Sequence, residues 1–112
     1  MHELSLCKNI LQTVKQHLTP PYATVTCIYL EVGVLCCVEK SALAFNFDVL
    51  KKGTVAENAI LHFVDIPGEA ICDICLQTVT INQYYDACPV CEQFSLSFIK
   101  GQELRIKSIE VL

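Results

Sequence analysis

The chain has 112 residues, a hydrophobic fraction of 53% and a formal net charge of −4 at neutral pH. These values exclude a disordered chain of low hydrophobicity and indicate one domain or two very small ones. The negative charge argues against binding to a nucleic-acid backbone. No apolar run approaches the roughly 18 residues that a membrane-spanning helix needs, so we expect no membrane span.

The first stretch of the chain predicts a helix followed by a strand. Apolar residues recur at helical spacing from Leu4 to Leu18, and Pro20-Pro21 then ends the helix. Residues 24–34 are rich in β-branched and aromatic side chains, which favours a strand that ends near Gly33.

The next stretch predicts a second helix and a second strand. Ser41 is the predicted N-cap of a helix over 42–52, with two lysines in the last turn and Gly53 at the C′ position. Residues 59–66 alternate between two faces and predict a strand that stops at Pro67-Gly68.

The last third predicts three further strands, over 78–85, 94–99 and 103–111, of which the last should return to the first sheet. The predicted fold class is therefore α+β: a small mixed sheet with two helices, plus an inserted zinc-ribbon-like four-cysteine module. The inserted module is expected at 69–100, within an α+β domain built from 1–68 together with 101–112.

Eight cysteines are many for so short a chain. The polar, helical start of the chain does not resemble a secretion signal, so the cysteines are expected to be reduced or bound to metal. This composition predicts a cytoplasmic protein.

Two Cys-x-x-Cys pairs carry the chemistry of the predicted module: Cys72 with Cys75 and, after twelve intervening residues, Cys88 with Cys91. Two tight turns can point four sulfurs at one centre, which satisfies the tetrahedral preference of Zn²⁺. Because protein atoms would fill all four positions, the metal should be structural and should not catalyse. Two disulfides or a redox-active Cys-x-x-Cys are the alternatives.

The second chemical feature is the start of the chain, Met1-His2-Glu3. The terminal amine, the His2 amide nitrogen and the His2 Nδ1 can close fused chelate rings, a nitrogen-rich set that suits Ni²⁺ or Cu²⁺. An amide must lose its proton to become a ligand, so the affinity should fall as pH drops. Taken alone the pattern is weak, because a solvated terminal histidine and a helix-starting glutamate also explain it.

The remaining histidines and cysteines favour structural roles. His17 is expected on the surface near a helix end, and His62 should be buried or partly buried in its strand. Cys7 and Cys27 fall in apolar patterns typical of core thiols. The adjacent Cys36-Cys37 could add soft ligands to a metal, although adjacent cysteines rarely chelate one ion well.

Several stretches together carry a resemblance to a known family. They are Met1-His2-Glu3-Leu4-Ser5, Ala44-Phe45-Asn46-Phe47-Asp48, Gly53-Thr54, Ala56-Glu57, both cysteine pairs and Lys107-Ser108-Ile109-Glu110-Val111. In this order, over essentially the whole chain, they are similar to the HypA/HybF family of hydrogenase nickel-incorporation proteins.

The resemblance implies a two-part nickel metallochaperone and no enzymatic activity. Nickel would be bound by His2, with the Met1 amine and the Glu3 amide nitrogen as further ligands, and Glu39 would lie near the metal. Zinc would be bound by Cys72, Cys75, Cys88 and Cys91.

The family delivers nickel to the precursor of the NiFe hydrogenase large subunit, together with the nickel-handling GTPase HypB. We expect a monomer or weak homodimer that binds neither nucleic acid nor membrane. A thiol-disulfide oxidoreductase and a zinc-ribbon adaptor protein are the alternative functions.

Overall fold

The computed structural model describes residues 3–18 and 23–112. Its elements are α1 (Glu3–Gln16), β1 (Val25–Gly33), α2 (Lys40–Leu50), β2 (Ile60–Ile66), β3 (Gly68–Cys72), β4 (Thr78–Ile81), β5 (Leu96–Lys100) and β6 (Leu104–Val111). Two helices with two small three-stranded sheets confirm the predicted α+β class. Among the described residues, no helix is both long and apolar enough to cross a membrane.

The chain forms two compact units, each assembled from segments that are distant in sequence. Unit 1 consists of Met1–Leu30, Val38–Phe63 and Ile106–Leu112. Unit 2 consists of Glu31–Cys37 and Val64–Arg105. Unit 2 is therefore larger than the module predicted at 69–100, because 31–37 and short flanks on both sides belong to it. The assignment of one metal to each part stays a prediction.

In unit 1, α1 buries one apolar stripe, as its periodicity predicted. The buried residues of the stripe are Cys7, Ile10 and Val14, and Leu18, just beyond the end of the helix, is buried as well. The thiol of Cys7 donates to the carbonyl of Leu43 in α2 at 3.3 Å, which joins the two helices. Leu4 departs from the pattern, with 44% of its surface exposed. The predicted stop at Pro20-Pro21 lies outside the described residues.

The predicted start of α2 is wrong by two residues. Glu39, not Ser41, is the N-cap, since its backbone is extended and its carboxylate accepts from the Ser41 N–H at 3.3 Å. The serine hydroxyl also donates to this carboxylate, at 2.6 Å. At the other end Lys51 is the C-cap, so the two lysines follow the helix instead of occupying its last turn, and Gly53 takes a left-handed φ of 77°.

The first sheet has the strand order β2-β1-β6. The N–H of Gly33 donates to the carbonyl of Glu103 and that of Leu112 to the carbonyl of Thr24, so β6 returns antiparallel to β1. The return of the closing strand to the first sheet is thus confirmed.

β2 runs parallel to β1, which makes this sheet mixed. The N–H of Val34 donates to the carbonyl of Ile66, and earlier in both strands the Tyr29 ring stacks on the His62 ring at 4.8 Å. A parallel pair needs a crossover connection, and α2 provides it.

The second sheet, of order β4-β3-β5, lies in unit 2 and is antiparallel throughout. Its central strand, β3, was not predicted, because Pro67-Gly68 was interpreted as the end of ordered strand. The predicted strand over 78–85 is also too long: β4 ends at Ile81, and turns follow.

Three glycines of unit 2 allow close backbone approach. A Cβ at Gly33 would lie 2.1 Å from the carbonyl oxygen of Gly101, and a Cβ at Gly68 would lie 2.6 Å from that of Ile81. Gly101 itself has a φ of 91°, and its Cβ would lie 2.6 Å from the Gly68 Cα. No larger residue fits at these positions unless the backbone moves.

Candidate metal centre

The structure brings the four predicted zinc ligands together in unit 2. The Sγ atoms of Cys72, Cys75, Cys88 and Cys91 all lie within 4.8 Å of one another. Two of the pairs are Cys72 with Cys91 at 3.5 Å and Cys75 with Cys88 at 3.7 Å. A disulfide needs about 2.05 Å, so these are four free thiols converging on one point.

The two Cys-x-x-Cys turns share one backbone pattern. In each, the N–H of the first cysteine donates to the carbonyl five residues later, and the N–H four residues later donates back to the first cysteine. In the first turn, the N–H of Cys72 donates to the carbonyl of Gln77 at 3.0 Å, and the N–H of Leu76 donates to the carbonyl of Cys72 at 2.9 Å. In the second turn, the N–H of Cys88 donates to the carbonyl of Gln93 and the N–H of Glu92 to the carbonyl of Cys88, both at 2.8 Å. The site is thus built from two equivalent loops.

The residue after each pair takes a left-handed conformation, which the sequence analysis missed. Leu76 has a φ of 63° and Glu92 a φ of 65°. Glycine usually occupies such positions, because other L residues pay a steric penalty there. With leucine and glutamate present, composition offered no signal of these turns.

Backbone N–H groups favour the thiolate at the first cysteine of each pair. The N–H of Cys75 lowers the pKa of Cys72 to about 7, and the N–H of Cys91 lowers the pKa of Cys88. The N–H of Gln93 also lowers the pKa of Cys91, but burial and the neighbouring thiols outweigh it and raise that pKa to about 12. Four thiolates at this point would repel one another, and a metal cation among them would offset that repulsion.

Two aspartates fix the segments that carry the cysteines. The backbone N–H of Asp73 donates to the carbonyl of Ser95 at 2.8 Å, and its carboxylate accepts from the hydroxyls of Ser95 and Ser97 at 3.1 and 2.8 Å. Asp86 accepts from the N–H groups of Asn82-Gln83 at 2.9 and 3.1 Å, which closes the turn after β4. The sequence predicts a turn at Asp86-Ala87, but it does not predict these hydrogen bonds of the two aspartates.

The four-cysteine cluster shares its atoms with the small core of unit 2. The buried members of this core are Leu35, Ala70, Cys72, Val79, Ile81 and Cys88, with Cys75, Cys91, Leu96 and Phe98 packed against them. Disturbing the sulfurs therefore also disturbs the apolar packing of the unit.

The predicted nickel ligands are only partly within the described residues. Met1 and His2 lie outside them, whereas Glu3 is the first residue of α1 and is half-buried. The carboxylate of Glu39 is engaged with Ser41, and this hydrogen bonding lowers its pKa. A place for Glu39 near bound nickel stays a prediction.

The other described histidines and cysteines are not members of the four-cysteine cluster. His17 is exposed, with its Nδ1 2.8 Å from the carbonyl of Thr13, and His62 is half-buried, so both expectations are confirmed. Cys7 is fully buried and Cys27 half-buried. Cys36-Cys37 also stands outside the four-cysteine cluster.

Comparison with known proteins gives one consistent result. A family model described as hydrogenase/urease nickel incorporation, metallochaperone, hypA matches residues 1–111. Hydrogenase maturation factor HypA of Legionella pneumophila (strain Corby) is 51% identical over 112 residues, which is 99% of each chain. The protein of the same name from Acidithiobacillus ferrooxidans (strain ATCC 53993 / BNL-5-31) is 46% identical, with the same coverage.

A solved structure agrees with these sequence matches. The solution structure of the Ni metallochaperone HypA from Helicobacter pylori superposes with a TM-score of 0.72. It is 25% identical in sequence, and the match covers 100% of this chain and 98% of that one. The likeness therefore extends over both units.

Proposed function

This chain belongs to the HypA family of hydrogenase and urease nickel-incorporation metallochaperones, and on that premise we propose that it carries Ni²⁺ at its N-terminus. The observation that carries the proposal is the family match over residues 1–111, which includes Met1-His2-Glu3. The chemistry is ligand exchange, so the protein is a carrier and not an enzyme.

Nickel is bound by nitrogen atoms at the start of the chain. His2 supplies its imidazole and its amide nitrogen, and the Met1 amine and the Glu3 amide nitrogen complete a near-planar set. In support, Glu3 is the first residue of α1, where an N–H has no partner inside the helix. A site at a chain end stays open on one side, so an incoming ligand can attack before the old ligands leave.

Zinc is bound by Cys72, Cys75, Cys88 and Cys91 in a closed site. Zn–S bonds of about 2.3 Å in a tetrahedron place the sulfurs about 3.8 Å apart. The sulfur pairs Cys72–Cys91 and Cys75–Cys88, at 3.5 and 3.7 Å, support this assignment. With four protein ligands this zinc stabilises unit 2 and leaves no position for a substrate.

The cargo is delivered in the cytoplasm to the precursor of the NiFe hydrogenase large subunit, with the GTPase HypB as the partner in nickel handling. Neither nucleic acid nor membrane takes part, and the carrier is a monomer or a weak homodimer. Because the family description also names urease, hydrogenase and urease activities should be compared in cells that carry His2→Ala. Loss of hydrogenase activity that added nickel salts restore supports the assignment, and unchanged activity without added nickel contradicts it.

The nickel site is tested by titrating untagged, zinc-loaded protein with Ni²⁺. We expect about one weakly absorbing, square-planar-like site that is lost in His2→Ala and when residues are added before Met1. His17→Ala is the matched control, because this exposed histidine already uses its Nδ1 on the Thr13 carbonyl. Unchanged affinity in both the His2→Ala and the extended protein would rule out the terminal site.

The two alternative functions make different predictions. A thiol-disulfide oxidoreductase would hold a dithiol without metal and reduce insulin, and the lowered pKa of Cys72 is the observation in its favour. A zinc-ribbon adaptor would bind zinc but not nickel, and salt-dependent binding to nucleic acid would support it. Metal analysis of the native protein therefore separates all three.

A further inference from the structure

Cys36 and Cys37 are the cysteines that lie neither in the four-cysteine cluster nor in a helix or strand. They follow β1 in a turn of unit 2, and both are free thiols. Cys36 is half-buried, whereas Cys37 is exposed and its thiol lies 3.5 Å from the carbonyl of Leu35. At least one of the two sulfurs is thus open to a ligand from solvent.

The turn that carries them is held on rigid structure. Leu35 is 2% exposed within the core of unit 2, and its N–H donates to the carbonyl of Gly101 at 2.8 Å. The N–H of Cys36 donates to the carbonyl of Gly33 at 3.0 Å. Cys37 has a φ of 58°, a left-handed conformation that residues other than glycine rarely adopt. The two thiols are therefore presented by a fixed turn instead of a loose loop.

A disulfide between these neighbours is unfavourable on geometric grounds. Adjacent Cα atoms are about 3.8 Å apart across a trans peptide, which is below the usual disulfide range of about 4.4–6.8 Å. The ring would be strained and easily reduced, so the dithiol is the stable state in a reducing compartment. Adjacent cysteines rarely chelate one ion well, but an ion that bonds each sulfur at about 2.3 Å avoids the strain of the disulfide, because it leaves the sulfurs about 3.5–4.6 Å apart.

We propose that the exposed turn of Cys36 and Cys37 is a second metal site, a dithiolate chelate for a soft thiophilic ion such as Cu⁺ or trivalent arsenic. Soft thiolate pairs select such ions over Ni²⁺, which the nitrogen-rich N-terminus suits better. The site is independent of the nickel proposal and of the zinc cluster, so the chain would separate three kinds of metal by donor type.

The test uses zinc-loaded protein and phenylarsine oxide, in the presence of excess glutathione. Two As–S bonds form, and the arsenic-bound oxygen leaves as water with the two thiol protons, so arsenic stays trivalent. Native mass spectrometry then reports the arsenic adduct and the retained zinc in one spectrum. We expect one adduct per chain with zinc still bound.

Single substitutions locate the adduct. Cys36→Ser and Cys37→Ser should each weaken binding about 100-fold, because the second sulfur no longer acts at high effective concentration. Cys27→Ser and His2→Ala should leave it unchanged, the latter because the site does not depend on nickel binding. Retained zinc in each variant confirms that unit 2 is folded.

Three results would overturn the site. These are no adduct on the zinc-loaded wild-type chain, an adduct that survives both single substitutions, and an adduct that appears only as zinc is lost. The last would place arsenic on the four-cysteine cluster.

Discussion

Unit 1 and unit 2 differ most in where the charge of the chain lies. Unit 1 contains six basic and five acidic residues, a net charge of +1, whereas unit 2 contains two basic and seven acidic residues, a net charge of −5. Four thiolates around one divalent ion would make unit 2 still more negative. Such self-repulsion opposes a compact state, so unit 2 needs a strong local source of stability.

The apolar cores of the two units also indicate that unit 2 needs a further source of stability. The large, fully buried side chains of unit 1 include Phe47, Ile28, Leu30 and Leu43. Ile81 is the largest of those in unit 2, and two of the buried core residues there are cysteines of the four-cysteine cluster. We infer that apolar burial stabilises unit 1 and that metal binding stabilises unit 2. A unit this small rarely folds on its hydrophobic core alone.

Removing the four-cysteine cluster should have the largest effect, because it should destabilise unit 2 and not unit 1. A structural zinc site contributes about 10–16 kcal/mol of binding free energy, so Cys72→Ser combined with Cys88→Ser should unfold unit 2. Amide hydrogen exchange should then show lost protection in β3, β4 and β5 and retained protection in α1 and α2. Cys27→Ser is the control, and equal loss in both units would contradict the separation.

A methyl group at Gly33 should cause the next largest loss of stability. Its Cβ would lie 2.1 Å from the Gly101 carbonyl oxygen, so Gly33→Ala should destabilise unit 2 by about 3 kcal/mol. Gly53→Ala is the matched control in unit 1: its φ is 77° but its Cβ would meet nothing within 4 Å, so about 1 kcal/mol is expected. Urea unfolding followed separately in each unit measures both, and similar values would count against the close approach.

Glycine at the two left-handed positions that follow the cysteine pairs should have a smaller, stabilising effect. Leu76→Gly and Glu92→Gly should each stabilise zinc-loaded unit 2 by about 0.5–1 kcal/mol, because glycine removes the steric cost but has more freedom when unfolded. Thr78→Gly, in β4, is the control and should destabilise. Unfolding midpoints of the three proteins decide the matter, and destabilisation by all three would refute the left-handed assignment.

The smallest effect concerns the cap of α2 in unit 1. Hydrogen bonds from Ser41 hold the pKa of Glu39 below its usual 4.5 in the folded chain. The cap therefore stabilises the folded chain fully at pH values above the pKa that Glu39 has in the unfolded chain. This stabilisation is lost as pH falls through the lower pKa that Glu39 has in the folded chain. The Ser41 amide shift should titrate with a midpoint below 4.5, and this transition should vanish in Glu39→Gln. A midpoint at or above that value would be inconsistent with the cap.

Patterns within single segments of the sequence were sufficient to predict much of the fold and the four-cysteine cluster. The periodicity of α1, the β-branched run of β1 and the spacing of the two cysteine pairs are each a pattern within one continuous stretch of the chain. For that reason they indicated the elements, the α+β class and the four converging sulfurs before any fold was known. The N-terminal nickel ligands stay a prediction, since Met1 and His2 lie outside the described residues.

Tertiary structure decided what depends on partners distant in sequence. β3 exists because it pairs with β4 on one side and β5 on the other, although Pro67-Gly68 suggested a stop. Gly33 matters because Gly101 approaches it, and Leu76 is left-handed because the cysteines must converge. Periodicity and composition describe what one segment prefers alone. They do not contain the contacts between segments that can override that preference.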